Sequence, residues 1–226
     1  MIQSIEKGVS SLGFKPSLTP NLQVVVASSP IIPNSSLQYI PDALLITHAH
    51  DDQIKEFPIL IEKVISNSKK LSVFCILECY KQISKKFPKL SNSNTQQHTS
   101  FIIIRPKNTF DADQFIIFPI LIYHGNDIIA DGAVIYVIQI GNRKIIIGWD
   151  FLSLPEVDEH LLWNPDILIL GTQNYNPHPE TGMISVTNTY NLIRRWNAKE
   201  SFIVHYSGIQ DLEESKNHGL EDLQSL

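Results

Sequence analysis

The sequence predicts a layered α/β fold built as a single domain. In the first half, short apolar runs rich in β-branched residues alternate with segments of helical spacing, which is typical of βαβ units. The second half starts with several strand-like runs and returns to alternation near its end. Of the 226 residues, 43% are hydrophobic and only 18% charged, which is enough apolar material for one sizeable core. We expect one compact domain over residues 1–226, with 1–21 and 213–226 peripheral.

The first half predicts three strands and two helices. Runs of β-branched and aliphatic residues indicate the strands, and apolar residues at helical spacing indicate the helices. The first helix is expected to place Ile54, Phe57, Ile61 and Ile65 on one face, and the second helix is rich in lysine. The expected strands span residues 22–27, 43–47 and 72–77, and the expected helices span residues 54–65 and 78–87.

A polar segment separates this half from the next. Residues 89–100, KLSNSNTQQHTS, are polar and repetitive, and they predict a loop that connects the two halves. Further along, Gly141 and Asn142 predict a hairpin turn between two strands. The expected strands of the second half span residues 101–104, 115–123, 133–140, 144–147, 167–170 and 202–204, and the expected helices span residues 154–162 and 185–196.

The segment LLITHAHDDQ carries the strongest indication of chemistry. An apolar strand leads into His48 and His50, and Asp52 follows two residues later. Alternate residues of an extended segment point the same way, so these three side chains can converge beyond the end of the strand. Imidazole and carboxylate groups suit zinc or a similar divalent ion.

Three further candidates follow other apolar runs. His124 comes after FIIFPILIY, Asp150 after RKIIIGW and His205 after SFIV. Ligand-type residues at four strand ends indicate a site at one edge of a β-sandwich, where the scaffold holds them rigidly. Taken singly, each histidine is also consistent with a hydrogen-bonded histidine near the core, and Asp150 with a helix N-cap.

In these motifs the chain resembles the metallo-β-lactamase superfamily, whose pattern is HxHxDH followed by His, Asp and His, each after a strand. The motifs here read THAHDDQ, YHG, GWD and VHYSG, and the resemblance extends from about Leu22 to Gly208. It implies a four-layer αββα sandwich. The segments VVVASSP and HPETGMISV look most like the phosphodiesterase branch, which includes cyclic-phosphate hydrolases.

The resemblance also implies a binding site for one or two metal ions, expected to be zinc, with manganese or iron as alternatives. Three histidines would hold the first ion, an aspartate and a histidine the second, and another aspartate would bridge the two. The three histidines of the first ion would be His48, His50 and His124. Asp52 and His205 would hold the second ion, and Asp150 would be the bridge.

One position departs from the family pattern. Gln53 stands where the family has the last histidine of HxHxDH, and a glutamine carbonyl is a poorer zinc ligand than imidazole. It is either a weak ligand in a working enzyme or the mark of a site that has lost its chemistry. Asp52 is the candidate catalytic residue, because it could orient the attacking water or accept its proton. Gln53 and His178, the latter in the loop QNYNPHPETG, are candidates for binding substrate or supporting the metal ligands, with a surface histidine as the alternative for His178.

These observations favour a metal-dependent hydrolase that attacks a phosphodiester or phosphate ester of a small molecule with a metal-bound hydroxide. Hydrolysis of a lactone, thioester or amide is the first alternative, and a catalytically degenerate metal-binding or interaction module is the second. The net charge of -5 and the absence of basic and aromatic interleaving argue against binding a long nucleic acid.

The expected setting of the protein follows from what the sequence lacks. No apolar stretch approaches the roughly 18 residues of a membrane span, and Met1 is not followed by a basic start and an apolar run. Cys75 and Cys79 suggest neither a disulfide framework nor a metal site. We therefore expect a cytoplasmic protein with a small-molecule substrate and no membrane partner, and a homodimer is consistent with the sequence.

Overall fold

The computed structural model describes residues 24–27, 40–124, 133–154 and 159–208 together with Asp211. The side chains of residues 24–27 and of Asp52 are outside that description, as are the peripheral segments expected at the two ends. Within the described residues, ten strands form two sheets. No described helix is both long and apolar enough to cross a membrane.

The first sheet contains four parallel strands in the order β1-β2-β3-β4. Its strand β2 is buried on both faces, as expected for a parallel sheet covered by helices. The strands and the helices that lie between them along the chain are β1 (Val24–Ala27), β2 (Ala43–Ile46), α1 (Asp51–Ile54), α2 (Phe57–Ser66), β3 (Leu71–Ile76), α3 (Leu77–Lys86), α4 (Ser93–His98) and β4 (Thr99–Ile104).

The second sheet has six strands in the order β10-β9-β8-β7-β6-β5. Strands β8, β9 and β10 are parallel, and the other pairs are antiparallel. Its elements are β5 (Phe110–Ala112), β6 (Phe115–Leu121), β7 (Val134–Ile140), β8 (Arg143–Gly148), β9 (Ile167–Gly171), α5 (Val186–Trp196) and β10 (Glu200–Val204). Short 3₁₀ helices occur at Pro88–Ser91, Glu159–Leu162 and Pro179–Thr181.

Alternation along β7 separates two cores. Tyr136 and Ile138 belong to the cluster that contains the buried residues of the first sheet and the buried face of α2. Ile135 and Val137 belong to a second cluster, which includes Trp196 of α5. Helices therefore cover the outer face of each sheet, and the predicted four-layer αββα order is confirmed.

Most predicted strands agree with the structure to within two residues, but the loop predicted at residues 89–100 is wrong. That segment contains α4 and the first residues of β4. In α4, Gln96 N donates to Asn92 O at 3.0 Å, Thr95 is buried, and His98 Nδ1 lies 2.8 Å from Lys69 O. Since β4 pairs with β3, the segment lies within the first sheet and does not connect the two halves.

Two of the predicted helices are also wrong in part. The helix predicted at 54–65 is interrupted after Ile54, and α2 begins anew at Phe57. Pro58 fits the first turn of α2, because N–H groups in the first turn of a helix have no acceptor within the helix. Its buried face uses Leu60 and Val64, whereas Ile65 is only partly buried. The helix predicted at 154–162 is a 3₁₀ turn in its described part, and residues 155–158 are outside the described residues. The sequence pattern does not predict strand β5.

Two hydrogen bonds join the sheets where β2 ends. Tyr136 donates its hydroxyl to Ile46 O at 2.8 Å, and this bond is buried. Val134 N donates to Thr47 O at 3.0 Å. Strand β2 is thus attached to β7 of the opposite sheet just before His48 and His50.

Candidate metal centre

His48 and His50 follow the end of β2 in extended backbone. His48 is 1% exposed, and its Nδ1 lies 3.0 Å from Thr47 Oγ1. His50 is the residue before α1, with φ −65° and ψ 155°. Because Ala49 separates them, the two imidazoles project to the same side, as the sequence predicts, and His48 Nε2 lies 3.2 Å from His50 Nδ1.

The segments that carry His124 and Asp150 are hydrogen-bonded to each other. Tyr123 N donates to Ser153 O at 3.0 Å, and Leu152 N donates to Tyr123 O at 2.7 Å. Pairing of these two segments places His124, which follows β6, beside Asp150, which follows β8. Both residues are buried, with exposures of 7% and 4%.

Three imidazoles and one carboxylate surround a common point. The three rings meet edge to face, with centroids 4.7 to 5.2 Å apart. His50 Nδ1 is 3.2 Å from His124 Nε2, and Asp150 Oδ2 is 3.4 Å from His48 Nε2 and 3.9 Å from His124 Nε2. Ligands about 2.0–2.1 Å from a tetrahedral zinc ion lie about 3.3 Å apart. The 3.2 and 3.4 Å spacings are close to this value, and the 3.9 Å spacing is longer.

The protonation of His124 suits a metal ligand. Its Nδ1 donates to Gly182 O at 2.8 Å, so the proton of the neutral ring is on Nδ1 and the lone pair is on Nε2. Burial lowers the pKa of His124, and the Gly182 hydrogen bond offsets this only in part. The ring is therefore neutral near pH 7, with its lone pair directed at the common point.

Asp150 supplies a second indication that the site fits a cation. Among the described residues, no hydrogen-bond partner contacts its buried Oδ1. A buried carboxylate oxygen without a donor is costly, and a metal ion would remove that cost. The helix N-cap alternative receives no support, because a cap would require a backbone N–H on one of these oxygens.

The remaining predicted residues lie around this cluster. His205 follows β10, and its Nε2 is 3.9 Å from Asp150 Oδ2, with the side chain 26% exposed. Gln53 is fully buried in α1. The side chain of Asp52 is outside the described part of the structure. His178 Nδ1 lies 2.9 Å from Glu180 Oε1, and His178 Nε2 lies 3.7 Å from Oδ1 of the buried Asp211.

The structure thus brings four of the predicted ligands within 4.8 Å of one another: His48, His50, His124 and Asp150. His205 lies next to this group. Metal binding by these residues stays a prediction, as do the roles of Asp52, Gln53 and His178. Sequence reasoning misses the Gly182 carbonyl that orients His124, because a backbone acceptor leaves no signal in side-chain chemistry.

The β-lactamase superfamily domain matches residues 20–206 of this sequence, which is most of its length. The chain belongs to this family and has the metallo-β-lactamase fold. None of the curated proteins matches it.

Solved structures share the same fold. The metallo-β-lactamase fold protein YhfI from Bacillus subtilis is 18% identical, with a TM-score of 0.63 over 82% of this chain and 69% of that one. A diphosphatase of the PhnP family is 18% identical, with a TM-score of 0.63 over 82% of this chain and 68% of that one. The short form of human tRNase Z is 16% identical, with a TM-score of 0.58 over 75% of this chain and 74% of that one. At these identities the similarity extends to the fold alone.

Proposed function

We propose that this protein hydrolyses a phosphodiester or phosphate ester of a small molecule with the help of one or two divalent ions. The observation that carries the proposal is the convergence of His48 Nε2, His50 Nδ1, His124 Nε2 and Asp150 Oδ2 within 4.8 Å. These donors follow strands of both sheets, where the scaffold holds them and loops are available to select a substrate.

The donor set favours zinc. Neutral imidazole is a borderline ligand that suits zinc, and a carboxylate completes a tetrahedral set of four. When bound there, a divalent ion supplies a nucleophilic water at neutral pH and neutralises charge on the substrate. Manganese and iron are the alternatives that a metal analysis would distinguish.

The chain's own residues divide the remaining work. His48, His50 and His124 would hold the first ion, His205 and Asp52 would hold the second, and Asp150 would contribute to both. Asp52 also orients the attacking water or accepts its proton, as a carboxylate beside a nucleophile can. Because Gln53 replaces an imidazole with a weaker neutral donor, the second ion is held less tightly than the first.

Two observations bear on the substrate. The fold is shared with a diphosphatase of the PhnP family, so it accommodates phosphate chemistry in another protein. The net charge of -5 disfavours a long polyanion, which leaves a small substrate. Carbonyl substrates are the competing class, because an activated water attacks carbonyl carbon as well.

A substrate panel tests the proposal. Protein loaded with zinc or manganese is assayed on bis-p-nitrophenyl phosphate and on a chromogenic lactone, with Asp150→Ala and Asp166→Asn alongside. We expect phosphodiester turnover that Asp150→Ala abolishes and Asp166→Asn retains. Asp166 is a suitable control because it precedes β9, whereas Asp150 and His205 follow the far ends of the parallel neighbouring strands β8 and β10. Turnover of the lactone alone would refute the phosphate assignment. No turnover with any metal would refute hydrolysis and favour a degenerate member of the fold.

A further inference from the structure

Two loops beside the metal centre are hydrogen-bonded to each other at their beginnings and through Gln173 O. They are the β9 loop, residues 172–176, and the β10 loop, residues 205–208. Thr172 N donates to Val204 O at 2.9 Å, which extends the β9–β10 pairing by one bond. Ser207 N and Gly208 N then both donate to Gln173 O, at 3.0 and 2.9 Å. The β10 loop begins with a predicted ligand, so these bonds fasten the backbone that carries it.

Asp211 follows the β10 loop by three residues and is hydrogen-bonded to the β9 loop. Its side chain is fully buried. Oδ2 accepts from Tyr175 N at 2.6 Å, and Oδ1 accepts from Asn176 N at 3.0 Å. His178 Nε2 lies 3.7 Å from Oδ1. Hydrogen bonds to a carboxylate are stronger than those between neutral groups, so Asp211 joins the β9 loop to the chain that follows His205 more firmly than a neutral acceptor could.

His205 needs such support because its backbone is strained. It has φ 65°, a left-handed conformation that few residues with a side chain adopt. Gly208, three residues later, has φ 67°, and a Cβ there would lie 2.9 Å from Tyr206 Oη. Strained conformations persist only where the surrounding structure over-determines them. Here that support comes from the Gln173 carbonyl, which holds the β10 loop, and from Asp211, which follows the loop along the chain.

We infer that Asp211 is a positioning residue, which acts through His205 on metal binding. The inference rests on the proposed function, because it takes His205 as a ligand of the second ion. Without the Asp211 carboxylate, the β10 loop keeps its bonds to Gln173, but Tyr175 N and Asn176 N lose the acceptor that lies three residues beyond the loop. His205 Nε2 lies 3.9 Å from Asp150 Oδ2. In the absence of the Asp211 carboxylate, His205 would no longer be held beside Asp150.

Metal titrations of four proteins test this inference without any substrate. They are wild type, His205→Ala, Asp211→Asn and the double variant, titrated with zinc against a chromophoric chelator. We expect Asp211→Asn to weaken the His205-dependent binding about tenfold or more, as loss of outer-shell partners does. The double variant should bind no more weakly than His205→Ala, because both changes act through one ligand.

A second readout and a matched control separate positioning from general damage. The visible spectrum of the cobalt-loaded protein should change in the same way in Asp211→Asn and His205→Ala. Asp166→Asn is the control, because Asp166 Oδ2 also accepts a backbone N–H, from Lys144 at 2.8 Å, at the opposite end of β9. It should leave both the affinity and the spectrum unchanged. If Asp211→Asn does not fold, Asp211→Glu replaces it, with a smaller loss expected.

Each other result overturns the inference. Wild-type affinity in Asp211→Asn, or in Asp211→Glu where that variant is used, would mean that Asp211 does not position His205. Losses that add in the double variant, or an equal loss in Asp166→Asn, would indicate a general structural role. A wild-type protein that binds no metal would refute the proposed function as well, whereas normal binding in wild type and Asp211→Asn refutes this inference alone.

Discussion

The two parts of the candidate metal centre differ in how the fold holds them. His48, His124 and Asp150 are at most 7% exposed, and they follow strands whose ends are hydrogen-bonded to neighbouring segments. His205 has a side chain 26% exposed and begins a loop with positive φ. The first part is held by strand ends in the core, and the second by hydrogen bonds between loops.

This difference matters for metal binding. Ligands fixed by packed strands lose little entropy when an ion binds, whereas loop ligands must be ordered by other contacts. Gln53 adds to the contrast, because a neutral amide stands where the family pattern has an imidazole. We therefore expect one tightly bound ion and a second that exchanges readily.

The largest effect should come from the residue that both parts share. Asp150 Oδ2 lies 3.4 Å from His48 Nε2 and 3.9 Å from His205 Nε2, so Asp150→Asn removes a charged ligand from both positions. We expect the affinity for both ions to fall at least about 100-fold, the upper end of the effect of outer-shell changes. Zinc titration measures this. A variant that binds both ions normally would contradict the shared role.

A smaller effect should follow from restoring the family ligand. Gln53→His offers a stronger nitrogen donor from a fully buried position in α1. We expect the second ion to bind about tenfold more tightly, with the first unchanged. Titration with zinc checks this, and His205→Ala in the same background should remove most of the gain. Tighter binding of the first ion alone would contradict the division of the site.

The smallest effect is expected far from the metal centre. The Lys199 ammonium, with the Lys144 N–H, lowers the pKa of Asp166. Because the folded pKa is depressed, its stabilising effect is present above the unfolded value of about 3.9 and is lost as pH falls through the folded pKa. Asp166→Asn should therefore lower the free energy of unfolding by less than about 1 kcal/mol at pH 7. Urea unfolding at pH 7 and pH 3 measures it, and an equal loss at both would contradict this account.

The sequence predicts the residues of the site better than their supports. His48, His124 and Asp150 are predictable because each is a ligand-type residue at the end of an apolar run. Gly182 and Asp211 are not, since their contacts join segments distant in sequence and involve backbone groups. Orientation of the ligands therefore depends on tertiary hydrogen bonds that no local pattern reports.

The fold follows a similar rule. Strands of the two sheets are predictable because long apolar runs must be buried, whichever neighbours they pair with. Helix α4 is not, because its stability comes from contacts such as His98 Nδ1 to Lys69 O at 2.8 Å, and not from an apolar face. Where tertiary contacts outweigh local composition, the sequence pattern alone predicts the wrong structure.

The most direct test of this account is the metal content of three purified proteins, measured by elemental mass spectrometry after zinc loading and dialysis. Wild type should keep at least one ion per chain, His205→Ala should keep the tightly bound ion, and His48→Ala should lose it. Wild type without metal, or equal losses in both variants, would contradict a centre divided into a firmly held part and a loop-held part.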